Sequence, residues 1–128
     1  MFPNHFHFFS EAKARIYKTA IRPILTYAAE TRPETSKTKR ILETAEMKIA
    51  RRIAGKTLMD RIRSDNIRQT CGIDKINDWI LDRKKKWNEH IDRMTEERIV
   101  KITRDKLPAG HRSIGRPRKR WRDNLPKD

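Results

Sequence analysis

The sequence predicts an all-α protein, a small helical bundle with an extended or disordered basic C-terminal tail. Three observations predict it. Apolar residues recur three and four apart over long stretches, and no stretch alternates convincingly in the period of two that marks a half-buried strand. Gly55 and Gly72 fall where periodic segments stop, the place where helices often end in a left-handed residue. From residue 111 on the apolar residues thin to Ile114, Trp121 and Leu125. Such a composition cannot bury enough surface to fold without a partner.

With 35% hydrophobic and 38% charged residues in a chain of 128, one domain with a small core is expected. The expected organisation is a disordered N-terminus (1–9), a helical segment broken at Pro23 plus a linker (10–36), a central helical domain (37–107) and a basic nucleic-acid-contacting tail (108–128).

Residues 1–9 are aromatic but aperiodic, too short for a signal peptide and without its basic start. No apolar run approaches the roughly 18 residues of a membrane span. Cys71 is alone and cannot form an internal disulfide. The expectation is an intracellular protein, nuclear or cytoplasmic, that is not secreted and makes no membrane contact. His5 and His7 are two apart, but no cysteine or acidic ligand accompanies them, so a frayed terminus is expected rather than a metal site.

Ser10 can cap a helix carrying Ile16, Ala20 and Ile24, broadened by Tyr17, Ile21, Leu25 and Ala28. Pro23 breaks the hydrogen-bond ladder, predicting a helix to Ile21 and a second piece from Pro23. Residues 30–36, with Pro33, read as a linker. A helix over 38–54 places Ile41, Ala45, Ile49 and Ile53 on one face with Leu42 beside them. Thr57 and Asp60 have the spacing of a capping box. A short helix fits 64–71 with Ser64 as N-cap, and a long one fits 74–94 with the stripe Ile76, Ile80, Trp87, Ile91 and Met94. A last helix fits 96–106. Ile49, Ile80 and Trp87 are the expected core. Removing the tail is expected to leave the helices folded, because their apolar stripes lie upstream of it.

The net charge of +15, of which +7 lies in residues 99–128, points to a polyanionic partner. RNA or DNA bound nonspecifically through phosphates fits that charge; no cofactor, metal or small-molecule substrate is expected. There is no Asp-Asp pair and no glycine-rich phosphate loop. His90 and Glu89 are adjacent on a helix and so point about 100° apart, and Cys71 is expected as a packed small side chain. Catalysis is therefore not expected. Residues 64–81 have a helix-turn-helix outline. Asp74, Asp78 and Asp82 would face phosphate across a groove, so a packing corner is the expectation.

Two basic stretches are the candidate contacts. In Arg83-Lys84-Lys85-Lys86, Arg83 falls on the apolar stripe and can run its stem along the core while its charge stays wet; Arg83, Lys84 and Lys86 are candidate phosphate ligands. In Gly115-Arg116-Pro117-Arg118-Lys119-Arg120-Trp121-Arg122, the Gly-Arg-Pro unit is similar to the core of an AT-hook, although Ile114 stands where that motif has arginine. Arg116, Arg118, Lys119, Arg120 and Arg122 are expected to supply most of the affinity, and Trp121 to stack on an unpaired base. Should the tail not carry binding, residues 37–56 and 83–86 are the alternative surface.

The run Lys13-Ala-Arg-Ile-Tyr-Lys-Thr-Ala-Ile-Arg-Pro-Ile-Leu-Thr-Tyr-Ala-Ala-Glu30 resembles the segment just beyond the polymerase palm of non-LTR retrotransposon reverse transcriptases. The likeness continues through Asp60-Arg-Ile-Arg-Ser, Ile67-Arg68, Gly72-Ile73, Trp87, His90-Ile91 and Arg93-Met94, and closes on Gly115-Arg-Pro-Arg-Lys-Arg-Trp-Arg-Asp123. It covers residues 13–123. Ala28 departs from a usual glycine and Arg32 from a usual tryptophan, while Lys85, Asn88 and Glu89 replace two apolar residues and a small one. The resemblance implies a C-terminal, thumb-like fragment that helps hold template and primer. It lacks the palm, whose paired aspartates hold two metal ions for nucleotide transfer, and it lacks the endonuclease. An independent DNA-binding or chromatin-associated module, and a relic with no selected role, are the alternatives.

Overall fold

Pro23 shapes the opening of the fold. It has no N–H to donate, and its ring crowds the carbonyl four residues back. The structure, a computed structural model, describes residues 5–107 and 109–126, with side chains from residue 9 onward. In it, helix α1 (His5–Ile16) runs into one wide turn (Tyr17–Ile21) and on into α2 (Arg22–Leu25). The wide turn closes with the Arg22 N–H donating to the Tyr17 carbonyl, five residues back. That single π-type turn lets the helix accommodate the proline without breaking. The expected break after Ile21 is thereby corrected. So is the start of the helix: it begins at His5, because no glycine or proline intervenes before Ser10 and extending an existing helix needs no new nucleus. Residues 1–4 and the His5 and His7 side chains lie outside what is described.

A turn over 26–31 follows, and in it Ala28 has φ 55°. A left-handed backbone crowds Cβ against the carbonyl and costs an alanine about 1–2 kcal/mol, and a glycine nothing. Ala28→Gly is expected to stabilise the fold by about 0.5–1 kcal/mol, since glycine's extra unfolded-state entropy takes back part of the gain. A lower urea midpoint for the variant would contradict it.

Helix α3 (Ser36–Ala54) opens on a reciprocal cap. The Thr35 N–H donates to Thr38 Oγ1 at 3.0 Å, and the Thr38 N–H to Thr35 Oγ1 at 3.3 Å. It ends at Gly55, φ 65°, as its position suggested. A 3₁₀ turn (Leu58–Asp60), α4 (Ser64–Cys71), α5 (Ile76–Asp92), α6 (Ile99–Asp105) and a final 3₁₀ turn (Trp121–Asn124) complete the chain, with no strand among the described residues. Gly72, φ 63°, stops α4 as expected. Ser64 is the first residue of α4 rather than its cap.

Two apolar clusters hold these helices. One joins Tyr17, Met47, Ala50, Ile53, Ile67, Cys71 and Ile73; the other joins Ala29, Leu42, Ile76 and Ile80. Ile73 and Cys71 are buried at the corner between α4 and α5. Ile80 is core, as expected. Ile49 only packs against the core edge, and Trp87 is half-buried outside both clusters. The cost of Trp87→Ala therefore falls below the 3–5 kcal/mol of a fully buried ring.

Glu46 lies on α3 between Leu42 and Ala50, one helical turn from each, and is fully buried. It accepts from the Tyr17 hydroxyl (3.1 Å) and the Ile76 N–H (3.1 Å). The Arg22 and Arg68 guanidiniums each lie 3.5 Å from it. Burial, and then the Glu46 charge, push the Tyr17 hydroxyl up from 10.0 to about 12. A proton held more tightly when folded gives stability that is full below the unfolded value and lost as pH rises through the folded one. Between pH 10.0 and about 12, wild type is expected to lose stability faster than Tyr17→Phe. Parallel urea profiles across that window would refute this.

Candidate nucleic-acid interface

The tail leaves α6 and runs without regular structure to the turn at Trp121–Asn124. It is extended, as the sequence suggested, but it is not loose. Asn124 clasps the backbone of Glu34: its Oδ1 accepts from the Glu34 N–H (2.7 Å) and its Nδ2 donates to the Glu34 carbonyl (2.9 Å). The Trp121 indole N–H donates to the Glu30 carbonyl at 2.6 Å. Arg122 pairs with Asp105 of α6 at 2.9 Å. The segment between α6 and Arg120 is thus an arch with both feet fixed.

This geometry corrects two expectations. Trp121 is a half-buried tether rather than a free platform for a base. Arg122 is engaged by a carboxylate, whose own pKa is held below the usual range first by the hydrogen bond from Arg104 and also by the Arg122 charge. The tail also touches α5, where Asn124 Oδ1 lies 3.5 Å from the buried Lys84 ammonium. What the arch presents outward is Arg112, Arg116, Arg118, Lys119 and Arg120, all exposed and none in an ion pair among the described residues.

The basic run on α5 is split. Lys84, not Arg83, falls on the buried face with Ile76, Ile80 and Ile91. Its side chain is 0% exposed and pairs with Glu34 at 3.8 Å, so it is removed from the candidate phosphate ligands. Burial pulls its ammonium below the ordinary lysine range, against the opposing pull of Glu34. Arg83 is exposed, stacked 4.9 Å over the Trp79 ring and 3.9 Å from Glu30. Lys86 is exposed and pairs with Asp82 at 2.7 Å. Together with Trp87 and His90, whose rings lie 5.4 Å apart, these residues line an open hollow of about 290 Å³. Its two cations are matched by two carboxylates, so it does not concentrate positive charge.

The sequence reading missed Glu34 and Asn124, the residues that fix the arch, and Glu46, which joins the helices in the core. Glu34 and Asn124 are 90 positions apart, and each is an ordinary polar residue in an unpatterned stretch. No local signal identifies them. Among the described residues no group of three or more His, Cys, Asp or Glu could hold a metal ion, and no helix is long and apolar enough to cross a membrane. Comparison with protein-family models, curated proteins and solved structures yields no match.

Proposed function

We propose that the chain is a nucleic-acid-binding segment that holds RNA or DNA through its phosphates without reading sequence, and that it performs no nucleotide transfer or hydrolysis itself. The observation that carries this is the arch. It holds out Arg112, Arg116, Arg118, Lys119 and Arg120, none of them in an ion pair among the described residues, on a chain of net charge +15. Cations left without protein partners are free to displace counterions from phosphate. The resemblance to the region beyond the palm of non-LTR retrotransposon reverse transcriptases gives the reading a setting, that of a part which grips template and primer. One residue supports that likeness on physical grounds. Ala28, where those proteins carry glycine, has φ 55°, a conformation that glycine takes without cost.

The test is a titration of the chain on single-stranded RNA and on duplex DNA at several salt concentrations. With about five phosphates neutralised, log K is expected to fall with log salt at a slope of about −4 to −5 on the duplex. Replacing Arg116, Arg118, Lys119 and Arg120 by glutamine should flatten the slope by about 3–4. Absence of binding at ~50 mM salt, where phosphate contacts are strong, would sink the reading. So would primer extension by the chain above a no-protein control, as regards the missing catalysis.

The exposed Gly115-Arg116-Pro117 segment supports one second reading, an independent chromatin-associated module whose tail lies in a narrow minor groove. A marked preference for A·T-rich over G·C-rich duplex would distinguish it.

A further inference from the structure

Helix α3 turns one face to the core and leaves the other to solvent, and the charged residues of the solvent face are all cations, with the exposed Ile41 and Thr44 between them. At 3.6 residues per turn Lys37, Arg40, Lys48, Arg51 and Arg52 fall within a sector of about 120°. Four of them are exposed and Arg51 is half-exposed. None is in an ion pair among the described residues. The two carboxylates of the helix are turned away. Glu46 is buried, and Glu43 accepts from the Asn77 amide of α5 at 2.8 Å. From Lys37 to Arg52 the row is about 22 Å long at 1.5 Å per residue.

We propose that this face of α3 is a second docking surface, independent of the arch, and that it takes B-form duplex DNA through its phosphates; the proposal rests on the polyanion-binding reading of the chain. The helix has no aromatic residue. It therefore offers no platform on which unpaired bases could stack, and stacking is what single-strand surfaces use. A straight row suits a stiff polyanion. A helix about 10–12 Å across matches the roughly 12 Å major groove of B-form DNA, with Arg40 and Arg51 toward one wall and Arg52 toward the other. The deep, narrow major groove of an A-form duplex does not admit it. An anionic lipid surface fits less well, because the apolar side of α3 is spent on Leu42, Met47, Ala50 and Ile53 in the core.

The test compares the full chain with Lys48→Gln/Arg52→Gln, two exposed changes that leave both clusters intact. A second comparison is Arg118→Gln/Lys119→Gln in the arch. Helical circular dichroism and a melting curve establish that each is folded. Each is titrated against a 20-base-pair duplex DNA, a duplex RNA of the same sequence, a single-stranded DNA and phosphatidylserine vesicles. The α3 variant is expected to lose about tenfold or more in affinity for duplex DNA at ~50 mM salt and to flatten the salt slope by about 2. Single-strand affinity should change little. An unchanged slope in the α3 variant, with a flattened one in the arch variant, overturns the α3 surface and leaves the general reading standing. Failure of the unmodified chain to bind any nucleic acid overturns both. Equal losses on duplex RNA or single-stranded DNA overturn the B-form assignment, as does a loss confined to the vesicles.

Discussion

Glu46→Ala is expected to unfold the protein or bring it to the edge of unfolding. The carboxylate is fully buried and is the meeting point of the wide turn, α2, α3, α4 and α5 through Tyr17, Arg22, Arg68 and the Ile76 N–H. Arg22 and Arg68 are themselves almost wholly buried. Removing their shared counter-charge leaves two guanidiniums in a low-dielectric interior, and breaking such a set costs about 3–5 kcal/mol. A domain's whole margin is about 5–15 kcal/mol. Arg22 keeps its bond to the Asp74 carbonyl (3.1 Å) and its place against the Tyr17 and Trp79 rings, and Arg68 keeps the largely exposed Asp65 at 3.5 Å, so each guanidinium retains only a partial replacement for the lost charge. Glu46→Gln retains hydrogen-bonding groups but not the charge, and should recover only part of the loss. Urea denaturation measures all of these. A loss below about 1 kcal/mol for Glu46→Ala, the size of an ordinary hydrogen bond, would mean that the cluster is not a keystone.

The second large effect is expected at the tail's clasp. Lys84→Ala strands Glu34, a carboxylate only 3% exposed whose Oε1 already lacks a hydrogen-bond partner. The expected cost is about 3 kcal/mol or more. The double variant Lys84→Met/Glu34→Gln should recover much of it, because the loss comes from the uncompensated charge rather than from the missing pair. Asn124→Ala is milder for the body, about 1–3 kcal/mol for the bonds it removes, yet it should free the arch. Trypsin reports this directly: cleavage after Arg118, Lys119 and Arg120 should accelerate while the helices stay protected. Identical digestion of wild type and Asn124→Ala would show that the clasp does not hold in solution.

These two charged centres also explain what the sequence could and could not reveal. Helix existence was legible, because Gly55, Gly72 and the three-and-four spacing are local signals that tertiary contacts did not override. Helix phase was legible only in part. On α3 the expected face ran through Ile41, Ala45, Ile49 and Ile53 with Leu42 beside it; Leu42 and Ile53 are buried, but the middle of the buried face is Glu46 and Ala50, and Ile41 is 56% exposed. On α5 the expected Ile76, Ile80 and Ile91 are buried, but the stripe crosses the helix at Lys84 rather than at Arg83. Each error is a displacement by one residue, about 100°, at the middle of the face, and both have one cause. A charge at the centre of a face argues against burial in any local window, and what reverses the argument lies far away. Arg22 and Arg68 stand 24 and 22 positions from Glu46, and Glu34 stands 50 from Lys84. The cationic segment of the candidate site was legible from composition, but its anchoring was not, since a clasp between Glu34 and Asn124 has no periodicity to betray it.

The clasp has a consequence for avidity. Asn124 grips Glu34 two residues before α3 begins at Ser36, so the far foot of the arch stands beside Lys37, the first cation of the α3 row. A free tail of similar length would wander as a coil whose span grows with the square root of its length. It would surrender much of that freedom on aligning with phosphates. With both feet fixed, much of that freedom is already gone, and the arch cannot follow a polyanion away from the helices. On the proposed reading, a strand captured by the arch would lie within reach of α3, and the second contact would form at the high effective concentration of an intramolecular event. Asn124→Ala should therefore erode the coupling between the two surfaces while leaving the cations of each untouched.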